Sequence, residues 1–70
     1  MIIDIRETVE FQKKPIEGVL NIPERALKDS IDLMNTFEEV VFVCPTGINA
    51  RRVQYKYKDI LKCKTEAQRL

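Results

Sequence analysis

Apolar residues in this chain fall into short runs separated by glycine, proline and charge, and the run with the strongest pattern is Val40-Val41-Phe42-Val43. A stretch that is apolar at successive positions has both faces covered, so Glu39 to Cys44 reads as a central strand. The opening Ile2-Ile3-Asp4-Ile5-Arg6 reads as a first strand, with Asp4 and Arg6 towards its C-terminal end. In Glu7 to Lys14 the apolar Val9 and Phe11 lie too close for a long helix, which predicts one or two turns with Thr8 as N-cap, stopped by Pro15. Gly18 then introduces a second strand, Val19-Leu20-Asn21-Ile22, ended by Pro23.

From Glu24 to Asn35, Ala26, Leu27, Ile31, Leu33 and Met34 recur at helical spacing, and this predicts an amphipathic helix with Phe37 packed beneath its end. A second such helix is predicted from Ala50 to Lys62 on Val53, Tyr57, Ile60 and Leu61, and Cys63 falls at its end as a half-buried filler. Lys64 to Leu70 alternates weakly through Ala67 and Leu70, as an edge strand does. Strands alternating with helices predict an α/β fold: a small parallel β-sheet flanked by helices on both faces, with functional groups at the strand C-terminal ends. Asp4, Arg6 and Cys44 all fall there.

Length and composition narrow this picture. With 70 residues and 8.2 kDa the chain is expected to form a single domain spanning residues 1–70, and a chain this short buries only about 60% of the surface it exposes when unfolded. A net charge of +1 calls for neither nucleic acid nor an anionic membrane surface as partner. The basic residues Arg51, Arg52, Lys56, Lys58, Lys62 and Lys64 spread around their helix and read as a solvated face. The longest apolar run, Val40 to Cys44, is far short of the ~20 residues a membrane span needs. With 2 cysteines and no secretion signal ahead of the first strand, a cytoplasmic location with reduced thiols is expected. The count of 0 histidines removes the commonest general base and the commonest zinc ligand, so no metal or cofactor is expected.

Candidate chemistry concentrates at Cys44. It closes the central strand and is followed by Pro45-Thr46-Gly47-Ile48-Asn49 and a helix start at Ala50. Loop N–H groups and the positive end of the helix dipole would both stabilise negative charge on its sulfur. Gly47 permits a close wrap of the loop. Cys63, about thirteen helical residues beyond Ala50, would lie on the order of 20 Å away, too far for a disulfide with Cys44.

Three blocks in order resemble the rhodanese family. They are Ile3-Asp4-Ile5-Arg6-Glu7 with Glu10-Phe11, then Ile16-Glu17-Gly18-Val19-Leu20-Asn21-Ile22-Pro23, then Val41-Phe42-Val43-Cys44-Pro45-Thr46-Gly47-Ile48-Asn49-Ala50. The resemblance implies a sulfurtransferase in which Cys44 takes sulfane sulfur from a donor such as thiosulfate or a persulfide. The resulting persulfide passes the sulfur to a thiol or protein acceptor. It implies an active-site loop of Pro45, Thr46, Gly47, Ile48, Asn49 and Ala50 in which the backbone N–H groups of Thr46 to Ala50 line an anion cradle, with structural support from Asp4 and Arg6; Arg51, with Arg52 at the helix start, would partly supply the cation the loop lacks. Glu10 resembles single-domain members, whereas two-domain relatives carry Arg at about that position.

The departures from the family point elsewhere. The loop lacks the cation that thiosulfate-preferring relatives place after the cysteine, and the chain is short, without the family's strand ahead of Ile2 or its Gly-Gly and Trp segment after the last strand. These favour an alternative, a catalytically degenerate rhodanese-like module for binding or regulation. An exposed last strand also leaves room for a homodimer. The related phosphatases place Arg after Cys and five residues; here Ala50 holds that position and Arg51 comes one residue late.

Overall fold

In the computed structural model, which describes all 70 residues, four strands form one sheet in the order β2-β1-β3-β4: β1 (Ile2–Asp4), β2 (Val19–Asn21), β3 (Glu39–Cys44) and β4 (Lys64–Arg69). Every pairing is parallel, with Ile3 beside both Leu20 and Phe42, and with Glu39 to Cys44 running alongside Lys64 to Arg69. Pairing continues past the end of β1, where the Ile5 N–H donates to the Val43 carbonyl and the Ile22 N–H to the Asp4 carbonyl.

Three connections cross between the strands. Helix α1 (Thr8–Lys13) joins β1 to β2; a 3₁₀ segment (Glu24–Asp29) and a short α2 (Ile31–Met34) join β2 to β3; α3 (Ile48–Tyr57) joins β3 to β4. Right-handed crossovers put α1 on one face of the sheet and the other helices on the opposite face, because the chain reverses its direction across the sheet after β2. Helices therefore flank both faces.

The two faces are unequal. Ile3, Ile5, Val40, Phe42 and Cys44 alternate onto the face beneath α3, where they meet Leu27, Met34, Ala50, Val53, Tyr57 and Leu61 in one buried cluster. Phe42 and Tyr57 lie with ring centroids 6.5 Å apart and planes tilted by 43°. On the other face Asp4 and Val43 are buried, while Ile2 is 41% exposed and α1 buries none of its residues completely.

Three expectations are corrected. Glu7, not Thr8, caps α1: its backbone is extended, Thr8 is already helical, and the Glu7 carbonyl accepts the N–H groups of Glu10 and Phe11. The continuous helix expected over Glu24 to Asn35 is broken at Ser30. There the hydroxyl donates back to the Ala26 carbonyl at 2.9 Å and the backbone N–H to Leu27, which tightens the first part into 3₁₀ geometry. The last helix begins at Ile48 and ends at Tyr57 instead of running from Ala50 to Lys62. Beyond Tyr57 a hydrogen-bonded turn carries Leu61 into the core and leaves Ile60 51% exposed. Cys63 thus sits off the helix, its thiol 3.7 Å from the Met34 carbonyl, while the Asn35 side chain receives the Lys62 N–H at 2.8 Å.

Burial pushes the Tyr57 phenol above its ordinary 10, and the carboxylates of Glu24 and Asp29 push the same way. The folded protein holds this proton more tightly than the unfolded chain. The associated stability is full below pH 10 and is lost as pH rises through the folded value. In urea unfolding at stepped alkaline pH, wild type should lose stability relative to Tyr57→Phe above pH 10; parallel profiles would contradict this.

Candidate functional site

β1 and β3 are neighbours, but the chain leaves their C-terminal ends towards opposite faces. Such a switch point opens a crevice that strand-end residues and a helix N-terminus line. Cys44 occupies it as the last residue of β3, only 3% exposed.

Its sulfur accepts two backbone hydrogen bonds, from Gly47 N–H at 3.1 Å and from Ala50 N–H at 3.3 Å. Ala50 is the third residue of α3, so the sulfur fills the role that a Ser or Asp oxygen plays at most helix N-termini. Of the N–H groups expected to line a cradle from Thr46 to Ala50, these two reach the sulfur. The Ile48 N–H goes instead to the Thr46 hydroxyl at 3.2 Å, Arg51 N–H closes the first helical bond onto Gly47, and Pro45 has no N–H to give. The side chains of Pro45, Thr46, Ile48 and Asn49 face solvent, and Ala50 packs into the core.

The wrap depends on Gly47. Its φ of +80° lies in the left-handed region, and a Cβ there would sit 3.2 Å from the Arg69 Cβ on β4. β4 holds the loop from the other side as well, since the Leu70 N–H donates to the Cys44 carbonyl at 2.9 Å.

Asp4 and Arg6 stand on the opposite face of the sheet and do not touch the sulfur. The Asp4 carboxylate, 0% exposed, accepts the Arg6 backbone N–H and its Nε at 2.9 Å each, with the second guanidinium nitrogen at 2.7 Å. Hydrogen bonding to Asp4 holds the Arg6 guanidinium more firmly protonated than usual. Arg6 also donates to the Lys14 carbonyl at 3.0 Å and lies 5.7 Å from the centre of the Phe11 ring, which fastens α1 to the strand end. Asn21, whose role sequence reasoning missed, completes this brace by donating to the carbonyls of Asp4 and Arg6 at 3.0 and 2.9 Å.

The cations divide by position. Arg52 is bound by both oxygens of Glu24 at 2.6 and 2.7 Å and ties α3 to the 3₁₀ segment. Arg51 points into a groove beside the loop, and so does Arg69, the register partner of Cys44, which sequence reasoning also missed. Laying β4 against β3 in parallel register is the signal that would have found it. Cys63 lies just ahead of Lys64, the partner of Glu39 at the far end of β3, so roughly 17 Å of strand separates it from Cys44.

Two substitutions test this geometry. Gly47→Ala should cost more than about 1 kcal/mol in urea unfolding, because it combines backbone strain with a crowded Cβ, and should disturb the Cys44 amide and thiol environment by NMR. An unperturbed loop would refute the fit. Arg6→Leu should cost about 3–5 kcal/mol by stranding the buried Asp4 carboxylate, and Asp4→Asn/Arg6→Leu should cost less than Arg6→Leu alone. Equal losses would show that Arg6 acts only by packing.

Comparison with known proteins agrees with this architecture. No curated protein and no solved structure matches the chain. A family model, that of the rhodanese-like domain, matches residues 1–67. With a parallel α/β sheet, a cysteine closing its central strand and a family match over almost the whole sequence, the chain belongs to the rhodanese-like domain family.

Proposed function

We propose that this rhodanese-like domain is a sulfurtransferase that carries sulfane sulfur as a persulfide on Cys44. The observation that supports it most is the Cys44 sulfur at the switch point, receiving two N–H groups at 3.1 and 3.3 Å. Those donors are fixed by the backbone, so they stabilise an anion on sulfur with little reorganisation.

The reaction is a displacement. The Cys44 thiolate attacks the outer sulfur of a donor such as thiosulfate, the sulfur–sulfur bond of the donor breaks, and sulfite leaves with the bonding pair. The persulfide anion keeps the charge of the thiolate. A thiol, a protein thiolate or cyanide then removes the outer sulfur and restores the thiolate. Asp4 and Arg6 brace the ends of β1 and α1 and take no covalent part. A cytoplasmic setting, where thiols stay reduced, belongs to the same proposal.

The 3% exposure of Cys44 favours a second reading, a rhodanese-like module for binding or regulation whose thiol no longer meets a donor. Intact-mass measurement separates the two after incubation with thiosulfate or with a more reactive persulfide donor. Gain of one sulfur atom is expected in wild type and Cys63→Ser, removable by cyanide, and absent in Cys44→Ser. No adduct from any donor on the folded protein would move the assignment to the module.

A further inference from the structure

β4 is the last strand of the sheet, and no strand pairs with its outer edge. The Lys64 N–H donates to the Glu38 carbonyl and the Leu70 N–H to the Cys44 carbonyl, so the even-numbered residues of β4 turn their backbone groups towards β3. In a parallel ladder the residues between them turn theirs the other way, which aims the N–H and C=O groups of Thr65, Ala67 and Arg69 out of the sheet. The Gln54 side chain covers one end of this row, donating to the Thr65 carbonyl at 3.4 Å and to its hydroxyl at 3.0 Å. Ala67 and Arg69 keep an open hydrogen-bonding edge, a template on which another extended chain can pair.

A groove of 740 Å³ runs along this edge, between β4 and the flank of α3 that carries Ile48, Arg51 and Tyr55. Thr65, Ala67 and Arg69 share a face with their register partners Val40, Phe42 and Cys44, which is the face α3 covers. Ala67, the smallest side chain of β4, leaves the floor of the groove open. No Asp or Glu lines it, and neither Arg51 nor Arg69 has a carboxylate in ion-pairing range, unlike Arg6, Lys13, Arg25 and Arg52. Ile48 and Tyr55 are 72% and 71% exposed beside these cations.

The charges select the occupant. A chain pairing with β4 alternates its side chains, so every second residue enters the groove, where Arg51 and Arg69 favour a carboxylate and Ile48 and Tyr55 an apolar group. A second copy is disfavoured. Its β4, paired antiparallel about a two-fold axis, would bring another Arg69 and another Arg51 to the same face, where Thr65 and Ala67 offer no carboxylate to offset them.

We propose that β4 and α3 form a docking groove for an acidic, extended segment of a partner protein, which adds to the sheet as a fifth strand. Its backbone pairs with Ala67 and Arg69, a carboxylate lies against Arg51 and Arg69, and an apolar side chain packs on Ile48 and Tyr55. The segment lies beside the Cys44 loop without entering it. Its binding requires neither sulfur transfer nor an accessible thiol.

The probe is the peptide Thr-Glu-Thr-Leu-Thr-Glu-Thr, blocked at both ends, which carries Glu, Leu and Glu on one face and reads alike in either strand direction. Titrated into the isotope-labelled full chain, it should move the amide signals of Ala67 and Arg69 downfield. Nuclear Overhauser effects should place its backbone along β4. Arg51→Gln and Arg69→Gln should each weaken binding about tenfold, as loss of a charge-assisted contact implies, with partial rescue by Lys at either position. Ala67→Pro removes an outward donor and no bond to β3, and should abolish binding with the fold retained. The fully N-methylated peptide makes the same test without altering the protein: it keeps the side chains, has no donors and should not bind. No shift at millimolar peptide, equal binding of a version with Lys in place of Glu, binding of the N-methylated peptide, or indifference to both Gln variants would overturn the proposal. So would movement of the Ala67 and Arg69 signals with protein concentration alone, which would assign the edge to a second copy.

Discussion

The parallel pairing of β1 with β3 is the constraint on which the rest of this molecule depends. Because the chain departs from these adjacent strands towards opposite faces, their C-terminal ends cannot both be covered, and the gap receives Cys44. The same alternation of side chains that sinks Ile3, Phe42 and Cys44 into the core under α3 turns Asp4 to the other face. One strand pair thus separates the cysteine from the Asp4–Arg6 brace. The brace needs Arg6 for charge and Asn21 for its carbonyls, whereas the sulfur needs only backbone.

Magnitudes show what holds the sulfur. The dipole of a helix stabilises a charge at its N-terminus by roughly 0.3–1 kcal/mol, whereas a hydrogen bond to a charged group contributes about 1.5–3 kcal/mol. Two backbone N–H groups are directed at the Cys44 sulfur, so for an anion held at that place the donors of Gly47 and Ala50 would outweigh the dipole behind them. Their aim comes from the left-handed turn at Gly47, which places the first residues of α3 around the sulfur and not beside it.

Much of this was legible from residue order. The apolar run of β3, the Gly18 and Pro23 bounds of β2, and the cysteine followed by a glycine loop all encode local preferences that tertiary packing did not override. What was hidden depended on partners distant in sequence. The helical spacing of Ala26 to Met34 is real, yet the Ser30 hydroxyl competes for the backbone and the segment narrows to 3₁₀. The apolar face of α3 continues to Leu61, so its pattern concealed that regular helix ends at Tyr57. Arg69 looked like an ordinary charge on an edge strand because its meaning lies in register, and register is fixed only when β4 meets β3.

The contact of Gly47 with Arg69, together with the bond from Leu70 to the Cys44 carbonyl, has a consequence for the order in which the molecule acquires its parts. β4 cannot join as a hairpin; a parallel strand reaches its neighbour only after the whole of α3 has crossed the sheet. Contacts so distant along the chain carry a closure entropy that local contacts do not, and they form slowly for that reason. The loop around Cys44 can begin to coil as soon as α3 nucleates, but its final curvature waits for the last strand. The two N–H groups around the Cys44 sulfur are then fully placed only once β4 has docked, and a nascent or partly folded copy displays a cysteine without them.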